Sequence, residues 1–145
     1  MWQWVLSLVF LTLTWSSTIT ACPSNETRLF YCKTTNHKEV EVCDAGKQIR
    51  YCFGRPGQMP ELTLTVPRAS ALTGQWNGIG RYIHYSLTIP NGAVRYSVFF
   101  SADRLTEHHK LDAGVDVEKD GQHLATVSCQ TTTLEQRLEG IDLSQ

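Results

Sequence analysis

Residues 28–54 read RLFYCKTTNHKEVEVCDAGKQIRYCFG and contain three short segments in which apolar and polar side chains alternate. In the second segment, Val40 and Val42 alternate with acidic residues. A period of two residues is typical of a β-strand with one buried face. The cluster DAGK at 44–47 is typical of a turn, because Asp hydrogen-bonds its own backbone and Gly accepts a positive φ. The stretch therefore predicts an antiparallel meander.

The same pattern predicts which side chains face each other in this meander. If Cys43 pairs with Gln48, the valine before Cys43 lies opposite Ile49, and one apolar face continues across both strands. In the first segment, we expect Leu29 and Tyr31 to share one face.

The alternation continues beyond the meander. It recurs in five further segments, at 61–66, 81–89, 93–100, 115–118 and 123–129. Asn91-Gly92 joins two of them, and Asn-Gly is the strongest short-range hairpin signal. The sequence predicts an all-β fold, an antiparallel meander of about eight strands forming a small sandwich or barrel. In the tail, the helical spacing of Leu134, Leu138 and Ile141 predicts either a short C-terminal helix or a frayed end.

Composition excludes several classes of function. The 145 residues suit one domain, their formal net charge is −1, and 19% of them are charged. This balance provides neither the basic surface typical of nucleic-acid binding nor a polybasic patch for anionic lipids. We therefore expect no nucleic-acid partner.

The beginning of the chain has the features of a signal peptide. Residues 4–13 are apolar apart from one serine and one threonine, and small residues follow up to Ala21. A bilayer requires about 20 apolar residues, so this run is too short to span one, whereas its length suits a signal peptide. The sequence predicts a signal peptide at 1–21 and a single exported β domain at 22–145.

Two interpretations of Cys22 follow from the residues around this cleavage site. The run ITAC at 19–22 resembles a bacterial lipobox, in which the Cys is lipidated and becomes the mature N-terminus. A lipid on Cys22 would be the domain's only membrane anchor, and it would leave an even number of other cysteines. The alternative is ordinary cleavage after Ala21, with Cys22 free or in a disulfide. Export then leads to the periplasm, to the outer membrane through the lipid, or to secretion.

The remaining cysteines predict two structural disulfides, which are typical of exported proteins. They are Cys32, Cys43, Cys52 and Cys129, and they allow three pairings. We expect Cys32 and Cys43 on the same non-core face of adjacent strands, within bonding reach, which leaves Cys52 to join Cys129. No C-x-x-C is present, and the spacings match neither a zinc site nor a redox motif.

The polar segment after the Asn-Gly hairpin contains the candidates for catalysis or metal binding. Asp103, Glu107 and Asp112 are carboxylates of the kind that glycoside hydrolysis requires, and His108-His109 are transition-metal ligand types. Nothing in the sequence fixes the separation of the carboxylates, and adjacent histidines point in different directions. No G-x-S-x-G elbow, phosphate-binding glycine loop or calcium loop is present. We therefore expect no enzyme activity, no cofactor and no metal.

Four residues are candidates for binding a protein partner: Arg55, Trp76, Asp103 and Arg104. Arg55 lies in the turn sequence GRPG, which would present a basic side chain suited to a carboxylate. Trp76 lies in a glycine-rich connection, where an exposed ring can anchor a partner, and burial of this ring is the alternative. For Tyr82 we expect burial, as in a strand covered on both faces.

The chain resembles small exported bacterial β-proteins without an assigned activity. The resemblance rests on three runs, at 30–68 (which contains VCDAGKQIRYCFGRPG), at 103–105 (DRL) and at 113–115 (AGV). In size, export signal and disulfide-bearing β architecture, the chain is also similar to periplasmic lysozyme inhibitors, but their binding motif is not found in it.

A disulfide-tied β scaffold with polar loops and no catalytic set favours a non-catalytic binding protein of the periplasm or envelope. We expect an inhibitor of, or an immunity protein for, a cell-wall hydrolase, with a protein partner in the cell envelope. The alternatives are a structural envelope lipoprotein anchored at Cys22 and, less favoured, a hydrolase that uses the acidic segment.

Overall fold

Ten strands form the fold in a computed structural model that describes residues 22–144, so the predicted signal peptide lies outside the described residues. The strands are β1 (Thr27–Lys33), β2 (Glu39–Asp44), β3 (Gln48–Gly54), β4 (Leu62–Pro67), β5 (Leu72–Gly74), β6 (Tyr82–Asn91), β7 (Val94–Asp103), β8 (Leu111–Lys119), β9 (Gln122–Ser128) and β10 (Glu135–Gln136). They form two five-stranded antiparallel sheets, ordered β10-β1-β2-β3-β4 and β5-β6-β7-β8-β9. The predicted all-β fold is confirmed, and its architecture is a sandwich.

Hairpin β2–β3 is present as predicted, but its register differs. Val42 lies opposite Tyr51, so the predicted register was wrong by two residues. The turn begins one residue later than expected, because Asp44 is still paired in the strand and accepts a hydrogen bond from the main-chain N–H of Gly46 at 2.9 Å. A shift of two residues keeps every side chain on its predicted face, so the apolar face remains continuous.

Strand β1 turns the opposite face to the core from the one predicted. Phe30 and Cys32 are fully buried, whereas Tyr31 points outward and its hydroxyl donates a hydrogen bond to Glu39 at 3.0 Å. A bulge just before Phe30 interrupts the alternation and buries Leu29 as well. The expectation that Leu29 and Tyr31 share one face was therefore wrong.

The core lies between the sheets and consists of inward side chains from both. The largest fully buried apolar side chains are Tyr51, Phe30, Ile49, Leu87, Ile89, Leu138, Val40, Val42, Val98 and Val115. Across the sandwich, the ring centres of Tyr51 on β3 and Tyr96 on β7 lie 5.5 Å apart. Burial of this apolar surface is the main stabilising term of the fold.

The C-terminal tail forms an edge strand and not the helix that was one of its two predicted conformations. Strand β10 pairs with Phe30 and Tyr31 of β1, and Leu138 inserts into the core with no exposed area. Arg68 fastens the end of the tail, since its Nε donates to the main-chain oxygen of Asp142 at 2.9 Å. The same buried guanidinium bonds the carboxylate of Asp44, so the tail is tied to hairpin β2–β3.

Two disulfides are present among the described residues, and neither has the predicted pairing. Cys22 is bonded to Cys43, and Cys32 is bonded to Cys129, while Cys52 is a free thiol. The prediction failed because the bulge in β1 turns Cys32 into the core, away from the face that carries Cys43. Lipidation of Cys22 is incompatible with this structure, since the disulfide uses the sulfur that the lipid would occupy.

Candidate functional site

Two loops meet at one end of the second sheet, where β6 begins and β7 ends. Tyr82 lies opposite Asp103 in this pair of strands, so the residues just before Tyr82 adjoin those just after Asp103. The main-chain N–H of Arg104 donates to the oxygen of Arg81 at 2.9 Å, which extends the ladder by one bond. The hairpin therefore places residues 75–81 beside residues 104–110.

Asp103 holds these loops together and is almost fully covered, with 5% of its area exposed. Arg81 donates to both of its carboxylate oxygens, through Nη2 at 2.7 Å and through Nε at 3.1 Å, and the N–H of Leu105 donates to it at 3.0 Å. The bonds from Arg81 hold the pKa of Asp103 down to about 2. Asp103 was predicted to contact a partner, but its burial makes it a positioning residue instead.

Trp76 and Arg104, which were separate candidates in the sequence, are in contact. The guanidinium of Arg104 lies 4.8 Å from the centre of the Trp76 ring, and its Nη1 donates to the oxygen of Gly80 at 2.8 Å. The indole N–H of Trp76 donates to the oxygen of Ile79 at 2.9 Å. None of the salt bridges within residues 22–144 involves Arg104, so its charge is balanced by no carboxylate of the described chain.

The same two loops and the first residue of β6 carry large apolar side chains that face solvent. Ile79 is 77% exposed, Leu105 74% and Tyr82 54%. We refer to Trp76, Ile79, Tyr82, Arg104 and Leu105 together as the Trp76 patch. Trp76 itself is half-buried and packs partly against the core. Its position is therefore intermediate between the exposed ring and the buried ring that were the two predicted alternatives. The expected burial of Tyr82 was wrong, because none of the residues 22–144 forms a second layer over the outer face of β6 at this end.

Ile79 and Leu105 were not candidates in the sequence analysis, although one signal pointed to them. The Asn91-Gly92 turn fixes the register of the β6–β7 hairpin, with Asn91 opposite Val94. If the two strands are paired residue by residue from this turn, with no bulge, the first residue of β6 lies opposite the last residue of β7. Both residues lie in the loops that follow those ends.

The fourth candidate, Arg55, lies elsewhere, in the exposed loop between β3 and β4 of the first sheet. The main-chain oxygen of Arg55 accepts a hydrogen bond from the N–H of Gln58 at 3.2 Å, and Gly57 has a φ of 70°, which defines a tight turn. Within the described part of the chain, no hydrogen bond, salt bridge or ring contact joins Arg55 to the Trp76 patch.

The described residues contain one group of three potential metal-ligand side chains, Cys22, Glu41 and Cys43, whose ligand atoms lie within 4.8 Å of one another. The two sulfurs are bonded to each other, so neither is available as the thiolate that a metal requires. His109 has a structural contact instead, with its Nδ1 3.1 Å from the main-chain oxygen of Asp103.

Cys52, which was predicted to join Cys129, lies on the outer face of β3 and is partly covered. Burial raises the pKa of its thiol, although a hydrogen bond with Thr63 acts in the opposite direction. At neutral pH the sulfur is therefore protonated, and a protonated thiol is a poor nucleophile.

A scan of the chain against protein-family models, and searches among curated proteins and solved structures, found no match. Among residues 22–144, no helix has the length and apolar character needed to cross a membrane.

Proposed function

We propose that the protein is an exported, non-catalytic binding protein that recognises a protein partner through the Trp76 patch. The observation that carries this proposal is the stacked pair of Trp76 and Arg104 beside the exposed side chains of Ile79 and Leu105. Tryptophan and arginine are enriched among the residues that dominate binding energy at protein interfaces. Exposed apolar side chains that are grouped, and not scattered, mark interaction sites on proteins.

The two loops are pre-organised for binding. Asp103 bonds Arg81 and Leu105 at the ends of both loops, and Arg104 bonds Gly80 across them. A surface that is already ordered loses less conformational entropy on association, so more of its contact energy appears as affinity.

The chemistry of the patch favours a partner with an acidic cleft. Arg104 has no carboxylate partner within the described chain and can form a bidentate pair with one. Glycoside-cleaving enzymes carry a pair of carboxylates in their active sites. A cell-wall hydrolase is therefore the partner class that we propose, and the protein is its inhibitor or immunity protein.

Two disulfides are typical of proteins that leave the reducing cytosol. We place the protein in the periplasm or in the external medium, where a cell-wall hydrolase is accessible. The structural lipoprotein alternative loses its support because the Cys22 sulfur is in a disulfide. For the hydrolase alternative, the lowered pKa of Asp103 keeps this carboxyl ionised at neutral pH, so Asp103 itself cannot be the general acid.

Inhibition assays against a panel of purified cell-wall hydrolases test the proposal. The oxidised protein should slow the lysis of peptidoglycan by at least one of them, and Leu105→Ser or Arg104→Ala should weaken that inhibition about ten-fold or more. Leu124→Ser is the matched control, since Leu124 is also exposed but lies on β9 near the opposite end of the sheet. Absence of inhibition across the panel, or an equal loss in the Leu124 variant, would contradict the proposal.

A further inference from the structure

The first described residues fold back over the outer face of the first sheet. The disulfide fixes Cys22 beside Cys43, and the main-chain nitrogen of Cys22 lies 3.2 Å from Oε1 of Glu41. Four residues later, Glu26 forms a salt bridge with Arg50 of β3. This cover explains why Glu41 is only 4% exposed even though it points away from the core.

Glu41 is a buried carboxylate with an incomplete counter-charge. Nε of Arg28 donates to it at 2.8 Å, but Nη1 of the same guanidinium donates to Glu135 at 3.1 Å. One cation is thus shared between two carboxylates. A buried charge is costly unless it is paired and hydrogen-bonded, so a second cation at this position would be stabilising.

The main-chain nitrogen of Cys22 makes the second contact with the carboxylate of Glu41. Cys22 is also the residue that follows the predicted cleavage site. We propose that proteolytic cleavage before Cys22 converts its amide nitrogen into an α-ammonium group that forms a partly buried ion pair with Glu41. This proposal rests on the export predicted from the sequence and is independent of the Trp76 patch. Cys22 is then the mature N-terminus, and the folded domain contains a built site for it.

The chemistry of the step is peptide hydrolysis. Water adds across the bond between residues 21 and 22, leaving a carboxylate on residue 21 and an amine on Cys22, which takes up a proton at neutral pH. The nitrogen that donates to Glu41 keeps its position and gains a positive charge. The disulfide to Cys43 holds that nitrogen in place, and so the disulfide and the ion pair support each other.

Several charged or titratable groups face or adjoin Glu41 from the surrounding strands and cover. They are Arg28 and Tyr31 on β1, Glu39 on β2, Arg50 and Cys52 on β3, Glu26 in the N-terminal cover, and Glu135 on β10. Among them, burial and Glu39 raise the pKa of Tyr31 to about 12, so this hydroxyl stays neutral.

The α-amine ordinarily titrates near pH 8, and the carboxylate partner raises its folded pKa. The added stability is therefore complete below about pH 8 and is lost as pH rises through the raised value.

The test compares three oxidised forms of the domain that differ only at the N-terminus. One begins with Cys22 and has a free α-amine, the second is the same chain with an acetylated α-amine, and the third carries one extra alanine before Cys22. Cleavage of a fusion protein immediately before Cys22 provides the first form. We expect its unfolding equilibrium constant at pH 7 to be about ten-fold smaller than those of the other two, and its Tm about 4 °C higher.

Two further measurements separate the ion pair from a merely structural role of Cys22. Nitrogen NMR of the free-amine form should show an α-amine pKa above its ordinary range, and the stability difference between the forms should disappear at high pH. In Glu41→Gln the free and acetylated forms should be equally stable; if this variant does not fold, the wild-type comparison decides. Equal stability of the three wild-type forms, an ordinary amine pKa, or a native N-terminus other than Cys22 would overturn the proposal.

Discussion

The guanidinium of Arg104 stacks on the ring of Trp76 at 4.8 Å, although the two residues lie in different loops of the second sheet. A cation over an aromatic face at this distance contributes about 0.5–1 kcal/mol at an exposed site. The contact therefore has a small effect on stability, and its main effect is to fix the shape and charge of the Trp76 patch.

Trp76 is the one tryptophan of the sequence after residue 15, so its fluorescence reports on the patch once the predicted signal peptide is removed. We expect Arg104→Ala to shift the emission to longer wavelength, because the ring loses its cover and meets water. Stability in urea should fall by no more than about 1 kcal/mol. Arg95→Ala, at the other end of β7, is the control and should leave the spectrum unchanged. An unaltered spectrum in Arg104→Ala would show that the stack is not formed in solution.

Asp103 should make the fold sensitive to acid. The pKa of its carboxyl is about 2 in the folded chain and 3.8 ordinarily, so folding favours its ionised form. A lowered pKa gives stability that is present above about pH 4 and is lost as pH falls towards 2. Between pH 7 and pH 2, the Tm of the wild type should therefore fall more steeply than the Tm of Asp103→Asn. Parallel curves for the two proteins would exclude this role of Asp103.

The two disulfides should differ in their contribution to stability. Cys32 and Cys129 are separated by 97 residues, and Cys22 and Cys43 by 21. A longer closed loop restricts the unfolded chain more. We therefore expect double alanine substitution of Cys32 and Cys129 to lower the free energy of unfolding by about 5 kcal/mol, and that of Cys22 and Cys43 to lower it by about 3 kcal/mol. Guanidinium denaturation of the two double variants measures the difference. Cys52→Ser is the control and should change the free energy of unfolding by less than about 1 kcal/mol, since Cys52 is in no disulfide.

Arg68 should be required for docking of the C-terminal tail. Its guanidinium is buried and bonds both Asp44 and the main-chain oxygen of Asp142, so Arg68→Ala leaves the partly exposed carboxylate of Asp44 and a carbonyl without this donor. We expect the free energy of unfolding to fall by about 2 kcal/mol, together with faster proteolysis or hydrogen exchange in residues 139–144. Arg55→Ala, in an exposed turn, should do neither. A tail equally protected in both variants would contradict the assignment.

Strand positions could be predicted from the sequence because alternation is a local signal. The β2–β3 hairpin shows the limit, since its strands and faces were right but its register depended on which residue ended the turn. The face of β1 was not predictable, because Leu29, Phe30, Tyr31 and Cys32 form an apolar run that suits either face. The bulge before Phe30 determines which face of β1 is buried, and no feature of the sequence predicts this bulge. β5 and β10 are three and two residues long and are defined only by their neighbours.

The candidate site was predictable in its parts and not in its assembly. Trp76 and Arg104 were both candidates because of their residue types, but their contact depends on the β6–β7 pairing. The role of Asp103 depends on Arg81, a neighbour that composition and motifs do not single out. Whether an outward side chain on a strand is exposed depends on whether another layer covers it, and the sequence does not show this. The predicted burial of Tyr82 was wrong for this reason.

The order in which the two disulfides cross along the chain has a consequence for biogenesis. Cys22 pairs with the third cysteine of the described chain, whereas Cys32 must wait for Cys129, almost one hundred residues later. In a chain that emerges from a translocation channel N-terminus first, Cys22 and Cys32 are the first two cysteines to reach the oxidising side, and a bond between them would be non-native. Such a bond has to be exchanged for the native pairs, so we expect the yield of native protein to rise when a disulfide isomerase is supplied together with the oxidant.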